Sequence, residues 1–303
     1  MAEQLCKLGT GITLCYEEFG SRSGPPMLLV MGLGTQMIGW PEGFCEKLAG
    51  EGLRLIRFDN RDSGRSTHMT GRPPTVGQLV RRRIPPGNYR LSDMAQDAVG
   101  LMRALDMEPA HVVGASMGGM IAQTVAAEHP ESVRSLVSIM SNTGSRWRGQ
   151  PAFGIYRYFL RRAPADREGF IAHMDAVFAA IGSTGVPRDA ELEREIIARS
   201  YDRGHDPAAA GRQLGAIIAS GDRTAQLRRI TAPALVIHGT ADRMVRRSGG
   251  RATARAIPGA RLELIEGMGH DLPAALWPRL VELIARHAQT ADAGRAGVGA
   301  GAQ

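Results

Sequence analysis

The sequence predicts an α/β domain with a mostly parallel central sheet, helices on both faces and an inserted helical segment. Along most of the 303 residues, short apolar runs of strand type alternate with stretches of helical periodicity. From about 143 to 229 the strand-type runs stop and only helical patterns remain. A chain of this length can form one large domain with an insertion of that size.

Eight runs have the length and composition of strands. The first two are separated by Gly9, Thr10 and Gly11, which predicts an antiparallel hairpin at the start of the sheet. The runs at 27–31 and 234–238 are apolar nearly throughout, as strands buried on both faces should be. The predicted strands are 5–8, 13–19, 27–31, 53–59, 111–115, 133–140, 234–238 and 261–265.

Helical periodicity fills the intervals between these strands. It predicts core helices at 43–50, 91–105, 120–129, 249–256 and 274–287, and further helices in the insertion at 153–160, 169–181, 190–201 and 208–220. We therefore expect a core of residues 1–142 and 230–288 and a helical cap at 143–229 that lies over the carboxyl edge of the sheet. The Gly/Ala-rich tail at 289–303 is predicted to be disordered.

Composition excludes several classes of function. The net charge of +7 comes from scattered arginines, and only 5% of residues are aromatic, which argues against nucleic-acid binding. No run approaches 18 apolar residues and the N-terminus lacks the pattern of a signal peptide. The three cysteines have neither metal-ligand nor C-x-x-C spacing, so we expect a reduced, cytoplasmic protein without a bound metal, and a homodimer is compatible with the sequence.

The strongest chemical signal is the segment Gly114-Ala115-Ser116-Met117-Gly118-Gly119, between a predicted strand and a predicted helix. A serine flanked by small residues at this junction is typical of a nucleophile elbow. The tight turn holds the hydroxyl clear of the backbone, and the helix N-terminus directs free N–H groups toward it. Ser116 is therefore the candidate nucleophile.

A nucleophilic serine needs a base and a carboxylate that orients the base. His270 follows a late strand and the glycine-rich loop 266–269, from which it can reach the elbow. Asp242 follows the buried run 234–238, whereas no carboxylate follows the run 133–140 until Asp166. The order Ser116, Asp242, His270 is the nucleophile–acid–base order of one hydrolase fold.

Two backbone N–H groups are expected to stabilise the developing oxyanion. One belongs to Met117, directly after the serine. The other belongs to Leu33, in the loop after the strand 27–31, where Gly32 lets the backbone approach closely. The candidate substrate pocket, defined by its position near this loop and the cap entrance, contains Met31, Gly32, Trp40 and Trp147.

These motifs together resemble the α/β-hydrolase superfamily from about Thr13 to His287. The segment Asp59-Asn60-Arg61-Asp62-Ser63-Gly64-Arg65-Ser66 is similar to the superfamily's D-x-R-G-x-G-x-S signature, with Asp62 in place of the usual glycine. Met31 stands where many members carry a histidine. The segments 30–32, 39–41 and 59–66 resemble those of the branch that contains aclacinomycin methylesterase.

The resemblance implies the α/β-hydrolase fold and a serine esterase without metal or organic cofactor. The expected substrates are carboxylic esters of small to medium apolar compounds, cleaved through an acyl-enzyme. C–C bond hydrolases and cofactor-free perhydrolases or haloperoxidases use the same triad and stay open, as does a non-catalytic small-molecule receptor. Epoxide hydrolases and haloalkane dehalogenases are disfavoured because their nucleophile is an aspartate.

Overall fold

The central sheet has eight strands in the order β1-β2-β4-β3-β5-β6-β7-β8 among the described residues. The structure is a computed structural model that describes residues 2–82, 84, 85, 87–160 and 164–300. β1 pairs antiparallel with β2, and β2 with β4, while the other pairings are parallel. The strands are β1 Gln4–Lys7, β2 Thr13–Phe19, β3 Pro26–Val30, β4 Arg54–Phe58, β5 Ala110–Ala115, β6 Val133–Ile139, β7 Ala234–Gly239 and β8 Arg261–Ile265. All eight predicted strands are confirmed.

The helices of the core connect these strands or follow the last one. They are α1 Glu42–Ala49, α2 Val76–Arg81, α3 Leu91–Ala104, α4 Met117–Glu128, α10 Ser248–Ala256 and α11 Trp277–Ala300. Helix α2 was not predicted, and it begins at Thr75, whose side chain accepts a hydrogen bond from the Gln78 N–H in a capping box. In the part of the chain that is described, no helix is both long and apolar enough to cross a membrane.

Alternating side chains of the strands form two cores, one on each face of the sheet. Leu28, Val30 and Val112 pack with residues of α3 and α4 on one face. Met27 and Leu29 pack on the other face with residues of α1 and α11. The sheet is therefore covered on both sides, as the sequence predicts.

Residues 143–229 lie between β6 and β7 and are called the helical segment below. Their described part consists of helices and connecting loops, without a strand. The helices are α5 Tyr156–Leu160, α6 Arg167–Ile181, α7 Ala190–Arg203, α8 Ala209–Ser220 and α9 Thr224–Leu227. The short α9 was not predicted. The segment meets the core through two buried ion pairs, Arg203 with Asp59 at 2.8 Å and Arg212 with Asp62 at 2.6 Å.

The prediction of a disordered tail was wrong for residues 289–300, because α11 continues to Ala300. Ala288 and Ala291 are buried, and Asp292 pairs with Arg134 at 3.3 Å. Small side chains such as that of Ala291 allow the helix to pack close to the sheet. A Gly/Ala-rich composition, which is often typical of disorder, is therefore compatible with an ordered helix in this position. Residues 301–303 of the predicted tail lie outside the described part of the chain.

Candidate active site

Ser116 stands at the sharp turn between β5 and α4, with φ 57° and ψ −119°. The glycines on either side make this strained turn sterically feasible. A Cβ on Gly114 would lie 2.1 Å from the carbonyl oxygen of Gly118, and one on Gly118 would lie 2.0 Å from that of Val30. The Ser116 N–H donates to the carbonyl of Ile139 at 2.9 Å, which ties the turn to β6.

His270 connects Ser116 with Asp242. Its Nε2 lies 2.9 Å from Ser116 Oγ, and its Nδ1 lies 2.8 Å from Asp242 Oδ2. Along the chain, His270 is 154 residues from Ser116 and 28 residues from Asp242. The carboxyl edge of the parallel sheet brings the three side chains together. The structure thus places the predicted serine, acid and base in one hydrogen-bonded row.

The Asp242 carboxylate has no exposed surface and is held on both oxygens. Its Oδ1 accepts hydrogen bonds from the N–H groups of Met244 at 2.9 Å and Val245 at 2.8 Å. Its Oδ2 accepts from His270 Nδ1, so the N–H of the imidazole is on Nδ1 and the lone pair of Nε2 faces the serine hydroxyl.

A second histidine, His238, lies beside Asp242. Its Nε2 is 3.5 Å from Asp242 Oδ2 and donates to the carbonyl of Val245 at 2.7 Å. Burial lowers the pKa of His238 below its usual 6.5, so this imidazole is neutral near pH 7. His238 therefore does not neutralise the charge of the Asp242 carboxylate, which is hydrogen-bonded to His270. The sequence contains no signal that singles out His238, because a histidine at a strand end has no distinctive motif.

The loop after β3 lies directly against the serine. A Cβ on Gly32 would be 3.1 Å from the Cβ of Ser116 and 3.6 Å from its Oγ. Leu33 follows Gly32 in this loop, and Met117 is the first residue of α4, whose first-turn N–H groups have no acceptor within the helix. The two predicted N–H donors therefore belong to the two backbone segments that flank Ser116.

The predicted pocket residues occupy different environments. Gly32 is beside the serine, and Met31 is buried in the core cluster that contains Trp40. Trp40 has no exposed surface and stacks on Phe44 with a ring separation of 5.6 Å. Trp147 is 87% exposed. Of these four, Gly32 is thus in contact with the serine, whereas Trp40 packs in the core and Trp147 is exposed to solvent.

Three side chains of metal-ligand type lie close together away from the serine: Asp62, His68 and Asp206. The guanidinium of Arg212 already bonds both carboxylates, to Asp62 at 2.6 Å and to Asp206. The guanidinium of Arg212 thus supplies the positive charge next to these two carboxylates.

The segment 59–66 supports the site through residues whose individual roles the sequence did not reveal. Asn60 Nδ2 donates to the carbonyl of Met31 at 2.9 Å, which fixes the start of the loop against the serine. Asp59 accepts from the Met37 N–H at 2.7 Å and pairs with Arg203. Asp62 has φ 64°, which explains why glycine is usual there, and its carboxylate pairs with Arg212.

Residues 25–273 match the model of a protein family described as having the alpha/beta hydrolase fold. The chain belongs to this family. The predicted fold class is confirmed by the match and by the order of the strands.

The relatives of the chain include enzymes that act on esters. Rhodomycin D methylesterase DauP from Streptomyces sp. (strain C5) is 28% identical over 92% of this chain and 96% of its own length. This similarity agrees with the resemblance of the sequence to the methylesterase branch.

Two solved structures share the fold at lower identity. Esterase RhEst1 from Rhodococcus sp. ECU1013 has a TM-score of 0.76 at 21% identity, over 95% of this chain and 99% of that one. A meta-cleavage product hydrolase from Pseudomonas fluorescens IP01 has a TM-score of 0.73 at 19% identity, over 95% of this chain and 98% of that one. The two names show that one backbone arrangement serves more than one reaction.

Proposed function

We propose that the protein hydrolyses carboxylic esters of small to medium apolar compounds through an acyl-enzyme on Ser116. The observation that carries the proposal is the hydrogen-bonded row from Ser116 Oγ through His270 to Asp242, with distances of 2.9 and 2.8 Å. The family and the similarity to a methylesterase along nearly the whole chain support the same reaction. Methyl esters are therefore the first substrates to test.

The first half-reaction forms the acyl-enzyme. Ser116 Oγ attacks the ester carbonyl carbon while its proton passes to His270 Nε2, and the carbonyl electron pair moves to oxygen. The N–H groups of Leu33 and Met117 stabilise this oxyanion, each by about 3 kcal/mol. The intermediate collapses, the C–O bond to the alcohol breaks, and His270 gives its proton to the leaving oxygen.

The second half-reaction releases the acid. A water molecule gives a proton to His270 Nε2 and attacks the acyl carbon, which forms a second oxyanion at the same two N–H groups. The bond to Ser116 Oγ then breaks and the proton returns to the serine. Asp242 stays ionised and holds the imidazole in the required tautomer throughout.

We propose that the helical segment serves as a lid over this site. Its residues approach the site loops from two sides, since the His270 N–H donates to the carbonyl of Ile181 at 2.8 Å and Gly34 lies against Ala210. A segment in this position restricts which esters reach the serine and limits the access of water.

The test compares the wild-type protein with Ser116→Ala. A fluorophosphonate should label the wild type at Ser116 and leave the variant unlabelled, and turnover of p-nitrophenyl acetate should fall by at least about 10⁴-fold in the variant. Wild-type protein that shows neither labelling nor turnover would contradict the proposal and favour a non-catalytic receptor.

A vinylogous diketone substrate separates ester hydrolysis from C–C bond hydrolysis on the same triad. We expect the protein to cleave p-nitrophenyl esters much faster than the diketone. The reverse preference would assign it to the C–C hydrolases, and hydrogen-peroxide-dependent formation of a peracid from acetate would assign it to the perhydrolases.

A further inference from the structure

Gln213 of α8 reaches from the helical segment to the loop that carries the Leu33 N–H. Its side chain has no exposed surface and makes three hydrogen bonds to parts of the core that are distant in sequence. We propose, on the basis of the ester hydrolysis proposed above, that Gln213 is a positioning residue that holds this oxyanion donor in its productive orientation.

Both polar atoms of the Gln213 side-chain amide have hydrogen-bond partners. Its Oε1 accepts from the Gly34 N–H at 2.8 Å. Its Nε2 donates to the carbonyl of Arg61 and to Ser63 Oγ, both at 3.0 Å. If the amide oxygen and nitrogen were exchanged, the oxygen would face the Arg61 carbonyl oxygen and the nitrogen would face the Gly34 N–H. Acceptor would then face acceptor and donor would face donor, so the partners determine the orientation of the amide.

The bond to Gly34 constrains the adjacent peptide. Gly34 has φ 64°, a left-handed conformation that turns the chain sharply after Leu33. This turn places the Thr35 N–H 3.4 Å from the carbonyl oxygen of Gly32. The N–H and C=O of a trans peptide point in opposite directions, so the Leu33 N–H, in the same peptide as the Gly32 carbonyl, points away from Thr35.

The loop is thus held at both ends. Asn60 Nδ2 donates to the Met31 carbonyl at the start. At the far end the acceptor comes from α8, and the Cβ position of Gly34 lies 3.3 Å from the Cβ of Ala210 on the same helix. The orientation of one predicted oxyanion donor therefore depends on the docking of the helical segment, so the lid takes part in building the site that it covers.

The test uses Gln213→Met, which keeps the length of the side chain and removes its hydrogen bonds. With p-nitrophenyl acetate, kcat should fall by about 10- to 100-fold and KM should change by less than about twofold, because a displaced oxyanion donor weakens binding of the transition state and not of the ester. The inhibition constant of phenylboronic acid, which forms a tetrahedral adduct with the serine, should rise in parallel with the loss in kcat.

Two further variants separate positioning from stability. Ser220→Ala is the matched control, because Ser220 also lies on α8 and accepts from a core amide, the Leu91 N–H at 3.0 Å, without touching the loop. It should leave kcat unchanged. Ser63→Ala removes one of the two acceptors of Gln213 Nε2, together with the 3.4 Å hydrogen bond from Ser63 Oγ to the Thr35 carbonyl of the same loop, and should lower kcat by about two- to fivefold. If Gln213→Met does not fold, an unchanged kcat in Ser63→Ala still contradicts the proposal.

An unchanged kcat in folded Gln213→Met, or in Ser63→Ala if that variant alone folds, would overturn the proposal. A loss in kcat shared equally by Ser220→Ala would also overturn it, since the effect would then come from loosening of α8. The proposed function fails separately: if Ser116→Ala keeps wild-type turnover, the ester hydrolysis is wrong whatever Gln213 does.

Discussion

Among the hydrogen-bonded residues Ser116, His270 and Asp242, which we propose as a catalytic triad, Asp242 is the most tightly held. Three donors converge on its carboxylate: the Met244 and Val245 amides and His270 Nδ1. The two amides fix the plane of the carboxylate, so the oxygen that faces His270 has one position available to it. This geometry supports the proposed role of Asp242, since a fixed acceptor selects the imidazole tautomer whose lone pair faces the serine.

Asp242→Asn should lower kcat by about 10⁴-fold, because an amide nitrogen facing His270 favours the tautomer with the proton on Nε2. The measurement is steady-state hydrolysis of p-nitrophenyl acetate, with circular dichroism to confirm folding. Asp202→Asn is the control, since this exposed carboxylate pairs only with Arg167 at 2.7 Å among the ion pairs of the described residues, and its change should leave kcat nearly unchanged. Equal losses in both variants would contradict the assignment of the acid.

The residues that the sequence predicts and those that it misses differ in where their partners lie. Ser116 and Asp242 are each marked by their own neighbours, a small-residue turn and a position directly after a buried strand. Gln213 has no such mark, because its partner Gly34 is 179 positions away and the hydrogen bond exists only after the helical segment has docked. Local patterns therefore reveal the reacting groups, and long-range packing determines the residues that position them.

At the scale of the elements, the elbow between β5 and α4 depends on close contact of backbones. The Cβ position of Gly118 lies 2.0 Å from the carbonyl oxygen of Val30, so any side chain there pushes α4 away from β3. This contact is what allows the helix N-terminus to lie beside the serine and the loop after β3.

Gly118→Ala should lower the free energy of unfolding by about 2–4 kcal/mol, because the rigid backbone on the other side has no room to yield. Urea unfolding followed by tryptophan fluorescence measures the change. Gly9→Ala is the control, since no atom lies within 4 Å of its Cβ position, and it should have little effect. Similar losses for both variants would show that the close contact does not limit this turn.

Asp62 joins the core to the helical segment through a buried ion pair. Its carboxylate accepts from two nitrogens of Arg212 at 2.6 and 3.0 Å and from the Tyr89 hydroxyl at 2.7 Å. The aspartate that departs from the usual glycine of the superfamily signature is thus matched by an arginine on α8.

Asp62→Gly should destabilise the protein by about 2–4 kcal/mol, since loss of one partner of a buried pair costs about 3–5 kcal/mol and relief of the left-handed backbone returns about 1 kcal/mol. Adding Arg212→Leu to Asp62→Gly should recover part of the loss in urea unfolding. As a control, the solvent-exposed pair of Arg167 and Asp202 is accessible to water, so Arg167→Ala should leave the midpoint nearly unchanged. A stabilising effect of Asp62→Gly alone would show that backbone strain outweighs the ion pair.

For the whole molecule, three buried histidines contribute to the response to acid. Burial lowers the pKa of His111, His238 and His287 below 6.5. The unfolded chain then binds more protons than the folded one as the pH falls below 6.5, so the free energy of unfolding decreases in that range and is fully retained above it.

We expect the free energy of unfolding to decrease between pH 7 and pH 5, and His287→Gln to show a smaller decrease than the wild type. His287 suits this test because its Nε2 contacts the Pro233 carbonyl at 3.2 Å. Pro233 precedes β7, whereas Asp242 follows the opposite end of this strand. Urea titrations at several pH values measure both slopes, and their difference isolates this histidine from the other titrating groups. Identical slopes would contradict a neutral buried His287.

Most of the architecture is predictable because the periodicity of strands and helices depends on residues that are close together in the sequence. Runs such as 27–31 reveal buried strands directly, and the order of the strands follows from the family. The tail after 288 was misjudged because its Gly/Ala composition carries no information about the surface available to it. Burial of Ala291 and the pairing of Asp292 arise from the packing of α11 against the sheet near β6, which carries Arg134.

The loop of His270 and the loop of Leu33 are both held by the helical segment. The Gly269 N–H donates to Ser183 Oγ at 2.9 Å, and the His270 N–H donates to the Ile181 carbonyl at 2.8 Å, while Gln213 holds the other loop. The insertion is consequently not an interchangeable module. A chimaera that takes its insertion from a relative replaces the contacts that hold the loops of His270 and Leu33, the proposed base and the proposed oxyanion donor, unless residues 181–183 and 213 are retained.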